Sequence, residues 1–179
     1  MDENVVVVHP ILPIDHPLLR EVAEPVTRFD PSLVDLAEEM FATLRAANGV
    51  GLAAPQIGQS IRLFVAEYED QRVALCNPVI TLKEGESTGA EGCLSLPGFV
   101  GIGIQRAANI EVQAQDLQGE PVTLRAEGLW ARILQHEIDH LDGILFLDYL
   151  EEPGNLRRIR TGELDERAVA DPVPTGSGS

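Results

Sequence analysis

The sequence predicts an α+β domain, antiparallel strands with two segregated helices. Three observations carry that prediction: a helical stripe over residues 30–47, short β-rich runs between Ile61 and Arg125, and a second helical segment after the last of them. In the first, Asp30 before Pro31 supplies a cap and a first-turn proline. Leu33, Leu36, Met40, Leu44 and Ala47 then recur at helical spacing, and Asn48-Gly49 stops the pattern. In the second, Ile61 to Tyr68, Arg72 to Cys76 and Val79 to Leu82 read as strands separated by Asp70, Gln71 and the Asn77-Pro78 pair. Ile110, Val112 and Ala114 alternate, a turn follows at Asp116 to Gly119, and Val122 and Leu124 resume the alternation, which makes a hairpin. The last helix runs from Gly128 or Leu129 to Leu141 and ends at Gly143. Ahead of these elements, Val5 to Val8 with Pro10, Pro13 and Pro17 give an extended or turn-rich start.

At 179 residues, 44% of them hydrophobic, the chain has the length and apolar content of one compact unit. Residues 1–150 are expected to form it. Residues 151–179 are a polar C-terminal extension whose end, Pro172 to Ser179, reads as disordered. No repeat of 20 to 50 residues is evident. A net charge of −16, from 13 basic and 29 acidic side chains, argues against DNA binding and leaves only a local patch for any contact with RNA. No apolar run approaches a membrane span, and the Met1-Asp2-Glu3-Asn4 start is acidic where a signal peptide would be basic, so a cytoplasmic protein is expected. Cys76 and Cys93 are the only cysteines, and an intracellular chain of this size seldom relies on one disulfide. Cys76 sits in no motif and reads as buried and inert.

His136-Glu137-Ile138-Asp139-His140 carries the chemistry. Two imidazoles four residues apart share one helical face and can reach the same divalent ion. Glu137 lies close to that side, near enough to take a proton from an attacking water without being a ligand. A catalytic centre of this kind uses three protein ligands, so one is still to be found. Glu151 and Glu152 are the nearest acidic residues downstream. Upstream stands Cys93, within Glu91-Gly92-Cys93-Leu94-Ser95 and ahead of the turn-forming Leu96-Pro97-Gly98. Taken alone, Cys93 reads as a small buried apolar residue; its motif reverses that reading.

Three segments together resemble the peptide deformylase family. Gly49-Val50-Gly51-Leu52-Ala53-Ala54-Pro55-Gln56 is similar to its first motif, Glu91 to Ser95 to its second, and Gln135 to Gly143 to its third, in the family's order. The flanks agree: Ile11-Leu12-Pro13-Ile14, Leu19-Arg20, Ala126 to Arg132, and Phe146-Leu147-Asp148-Tyr149-Leu150. The resemblance spans Pro10 to Leu150. It implies antiparallel β-sheets packed around a central metal-binding helix, with Cys93, His136 and His140 as metal ligands and Glu137 as the acid–base residue. It makes Gln56 and the backbone N–H of Leu94 the donors to the reacting carbonyl oxygen. The reaction implied is hydrolysis of the N-formyl group from the formyl-methionine that begins nascent polypeptides.

Leu129 and Ile133, one or two turns before His136 and Glu137, are expected to line an apolar pocket for the methionine side chain, with Val50 and Gly51 opposite. Glu91 and Asp139 are candidates to orient a ligand or tie a basic residue. The family often has a basic residue shortly after its second motif, whereas here the first is Arg106. A thiolate and two imidazoles suit Zn2+, and Fe2+, Ni2+ and Co2+ accept the same set. The resemblance implies Fe2+ as the native ion. Beyond Leu150, Leu156-Arg157-Arg158-Ile159-Arg160 is the densest basic cluster of an acidic chain, readable as a patch for the ribosome or as a solvated helix or turn. Two other readings compete: a metalloendopeptidase with a different third ligand, and a silent relative that keeps the metal only for stability or for binding formylated peptides.

Overall fold

The structure, a computed structural model, describes residues 6–159. Val5, Arg160 and Pro172 to Ser179 lie outside the described residues. Helix α1 spans Pro31–Ala46, with the Asp30 side chain accepting from the Ser32 N–H at 3.0 Å. Strands β1 (Gly51–Ala53), β2 (Leu63–Tyr68), β3 (Gln71–Cys93), β4 (Leu96–Gln115) and β5 (Pro121–Glu127) then run as an antiparallel meander. Helix α2 follows at Gly128–Leu141, and a short β6 (Leu156–Arg158) completes a six-stranded sheet.

Both predicted helices and the β4–β5 hairpin are present, the hairpin with Ala114 opposite Val122 and Val112 opposite Leu124. Three readings are corrected. Asn77-Pro78 does not end a strand; it bulges a continuous β3. Asn77 tolerates φ 51° because its side chain bonds the Val26 N–H and carbonyl at 2.8 and 2.9 Å and Gln115 at 2.7 Å. Leu96-Pro97-Gly98 is strand, and the chain turns at Leu94-Ser95, with Cys93 opposite Leu96. The basic cluster is neither helix nor turn where described: Leu156–Arg158 pairs with Phe99 to Gly101 of β4.

The sheet is buried on both faces near α1 and α2. Leu63 and Val65 pack with α1 and Cys76, whereas Phe64 and Ala66 pack with α2, so alternation along β2 serves two cores and its sequence is apolar throughout. Helix α2 is buried along almost its whole circumference, from Trp130 through Ile138. Its polar groups therefore need internal partners. Gln135 shows how one is supplied: its amide accepts from the Ala107 N–H at 3.1 Å and donates to the Ala107 carbonyl at 2.9 Å, in a stretch of β4 between the residues paired with β5 and β6.

Candidate metal centre

Cys93 closes β3, and His136 and His140 occupy successive turns of α2. One ligand atom from each lies within 4.8 Å of the others, and Cys93 Sγ is 3.4 Å from His140 Nε2. Bonds of ~2.3 Å to sulfur and ~2.1 Å to nitrogen at a tetrahedral angle set donors ~3.6 Å apart, so this pair already has the spacing of a chelate. His136 Nδ1 is engaged by Glu91 Oε1 at 2.8 Å, which leaves Nε2 for coordination. Glu137 Oε2 and His140 Nδ1 are buried without a hydrogen-bond partner among the described residues. A soft thiolate, two imidazoles and a buried, unpartnered carboxylate oxygen beside them fit a divalent transition metal. Glu151 and Glu152 are exposed and stand outside this cluster. Cys76 is fully buried and unpaired, and burial, reinforced by Asp116, pushes its thiol up to about 11.

Glu137 is 3% exposed. Burial pushes its carboxyl up to about 7, against the pull of His136. Gly51 stands against it: a Cβ at position 51 would lie 2.5 Å from Glu137 Oε1. Gly51 thus borders the carboxylate in addition to neighbouring Val50. Val50, Leu129 and Ile133 belong to one apolar cluster, Ile133 buried and the other two partly exposed at its margin.

Gln56 lies on a 3-10 turn, Ala54–Ile57, directly after β1, and is 1% exposed. Its Oε1 accepts from the Ala53 N–H at 2.9 Å, so the amide cannot turn over without losing a buried bond. Its Nε2 therefore donates toward the site, to Ser95 Oγ at 3.1 Å and Cys93 Sγ at 3.5 Å. Leu94 sits in the adjoining turn, its side chain packed toward Gly49. The early Ile11 to Ile14 segment braces both pieces: the Leu12 N–H donates to the Gln56 carbonyl and the Ile14 N–H to the Ser95 carbonyl, each at 2.8 Å. Leu19-Arg20 meets the late flank, with Arg20 on Asp148 in two bonds of 2.7 and 3.0 Å.

Behind the histidines is a buried ionic network. Glu91 accepts from His136, from Arg106 Nε and Nη2 at 2.8 Å each, and from Arg132 Nη1 at 2.7 Å. Burial alone would raise its carboxyl, but Arg106 and His136 outweigh that and hold it well below the usual range. Arg106 also bonds Asp139, which accepts from the Tyr149 hydroxyl at 2.7 Å, and its guanidinium lies 4.3 Å over the Tyr149 ring. The first basic residue after the second motif is thus part of the scaffold behind the ligands. Of the two carboxylates singled out in the sequence, Glu91 bonds His136, and both Glu91 and Asp139 bond Arg106. Sequence reasoning missed Arg132, Ser95 and Tyr149. An arginine one turn before His136, on a helix otherwise apolar there, was the available signal for the first.

Comparison with known proteins gives the same outline. The polypeptide deformylase family profile matches residues 8–155. A peptide deformylase of Dictyoglomus thermophilum is 47% identical over 135 residues, covering 75% of this chain and 88% of the relative. The crystal structure of a Thermus thermophilus peptide deformylase superposes with a TM-score of 0.79 at 51% identity, covering 83% of this chain and 89% of that one. A Met-Ala-Ser-bound class I type b peptide deformylase from Acinetobacter baumannii gives a TM-score of 0.77 at 36% identity, covering 81% and 99%. By family profile, by sequence and by fold, this chain belongs to the polypeptide deformylase family.

Proposed function

We propose that this hydrolase removes the N-formyl group from the formyl-methionine that begins nascent polypeptides, releasing formate, and that it does so with one divalent metal held by Cys93, His136 and His140. The observation that carries this reading is the convergence of that thiol and two imidazoles beside Glu137, whose buried Oε2 has no hydrogen-bond partner among the described residues. When bound, the metal supplies Lewis acidity that polarises the formyl carbonyl and makes water more acidic. Glu137 takes the proton from the attacking water as the new C–O bond forms, then passes it to the amine as the C–N bond breaks. The Gln56 amide, oriented by Ala53 and Ser95, donates to the carbonyl oxygen as it gains charge, and the Leu94 N–H does the same. Neither donor brings a positive charge to compete with the metal.

Val50, Gly51, Leu129 and Ile133 receive the methionine side chain, a role supported by the apolar cluster that Val50, Leu129 and Ile133 share, by the place of Gly51 against Glu137, and by the Met-Ala-Ser peptide held by the Acinetobacter baumannii relative. Fe2+ is the native ion, and Zn2+, Ni2+ and Co2+ suit the same donors. Residues 1–150 are the catalytic domain and 151–179 an extension. Its Arg157, Arg158 and Arg160 offer a basic contact for the ribosome on an otherwise acidic protein. No described helix is long and apolar enough to cross a membrane, and the cytoplasm, where nascent chains are made, is the proposed location. The test is formate release from formyl-Met-Ala-Ser against the acetylated peptide, with parent and Glu137→Gln protein. The parent should act on the formylated peptide alone and the variant on neither. Equal turnover by both proteins would exclude the proton-transfer role.

A further inference from the structure

We infer that Arg132 is a positioning residue of the metal centre, one that locks the strand ending in Cys93 against the helix carrying His136 and His140. The inference rests on reading those three side chains as metal ligands. They come from two elements, β3 and α2, whose spacing must be held closely because metal–ligand bonds of ~2.0–2.3 Å tolerate little drift. Arg132 stands one turn before His136 on the same rigid helix. From there its guanidinium reaches β3 twice: Nη1 donates to Glu91 Oε2 at 2.7 Å and Nη2 to the Ser87 carbonyl at 2.8 Å. Between those points Gly89 leaves room for it, since a Cβ there would lie 3.2 Å from Arg132 Cζ and Nε. The clamped stretch ends two residues before Cys93.

Glu91 closes the arrangement. It bonds His136 as well as Arg132, so one carboxylate on β3 is held by two consecutive turns of α2, while Arg106 reaches it from β4. Arg132 is 4% exposed. An apolar side chain would fill that position without the cost of burying a cation, so the packing of α2 alone does not call for an arginine. What the guanidinium adds is two directional bonds from the histidine helix to the cysteine strand.

The test titrates metal-free protein with Co2+ and follows the absorption of thiolate-bound cobalt. Arg132→Met keeps length and apolar bulk but loses the fork. Its cobalt affinity should fall ten- to hundredfold, the usual scale for groups that orient ligands. Its thiolate band should shift or weaken, while far-UV circular dichroism and the KM for formyl-Met-Ala-Ser at saturating metal stay at parent values. Gly89→Ala crowds the guanidinium while leaving every charged group in place, and should lower affinity severalfold in the same direction. A folded Arg132→Met protein with parent affinity and parent band would overturn the inference alone. Should that variant fail to fold, Gly89→Ala decides, and parent affinity there overturns it. A parent protein that binds no cobalt through a thiolate would overturn the ligand reading together with this inference.

Discussion

Replacing Gly51 by alanine tests the placement of Glu137 without touching its chemistry. The added methyl would lie 2.5 Å from Oε1 and 2.8 Å from Cδ and Cγ. Against an optimal separation of ~3.5 Å, the first contact is short by about 1 Å. Strand β1 cannot readily give way, because Gly51 pairs with Ala66 of β2 and the neighbouring Leu52 and Ala53 are buried. The carboxylate therefore moves. A displacement of about 1 Å in a reacting group costs on the order of 10²-fold in rate, or roughly 2.7 kcal/mol of transition-state stabilisation. Formate release at saturating metal should thus show kcat/KM down about a hundredfold. Thermal unfolding and metal content, measured on the same preparation, should stay near the parent. A Gly51→Ala protein within about threefold of the parent would refute the claim that the Glu137 position limits the reaction.

Cys93→Ser should weaken metal binding by roughly a hundredfold or more, read by equilibrium dialysis, because a hydroxyl does not replace a thiolate at a soft site; a metallopeptidase with another third ligand would keep its metal. Glu91→Gln leaves two arginines without their shared carboxylate in a buried site and should cost about 3–5 kcal/mol in urea unfolding. Arg20→Ala, at a half-exposed pair, should cost no more than about 1 kcal/mol at neutral pH. The hydrogen bond from Arg20 lowers the Asp148 carboxyl, so that stabilisation is present above the unfolded value of about 3.9 and is lost as pH falls through the lower folded value. Parent and variant unfolding curves should converge in acid. The Cys76 thiol, fully buried and pushed up to about 11, should resist thiol reagents in the folded protein, with labelling read by mass spectrometry.

What could be read in advance was local or rested on the family's motifs. The ends of α1 and α2 were legible because Asp30, Pro31 and Gly143 act on their own neighbours, Gly143 through a φ of 72° just past the helix. The pair His136 and His140 was legible because four residues make just over one helical turn. The continuity of β3 was not, because Asn77 looks like a breaker until Val26, some fifty residues earlier, is seen to satisfy its side chain. Leu96-Pro97-Gly98 misled for a related reason: Pro and Gly propensities favour a turn, yet Leu96 pairs with Cys93 and the Gly98 carbonyl accepts from the Ile159 N–H, which keeps the stretch in β4 although Gly98 takes a φ of 82°. The network around Glu91 joins residues from β3, β4 and α2, and no periodicity within one segment encodes such a meeting.

X-ray absorption at the edge of the bound metal tests the central claim most directly. One sulfur at ~2.3 Å with two imidazole nitrogens at ~2.0–2.1 Å is the predicted shell, and the sulfur should vanish in Cys93→Ser protein. A shell of oxygen and nitrogen alone in the parent would contradict the account.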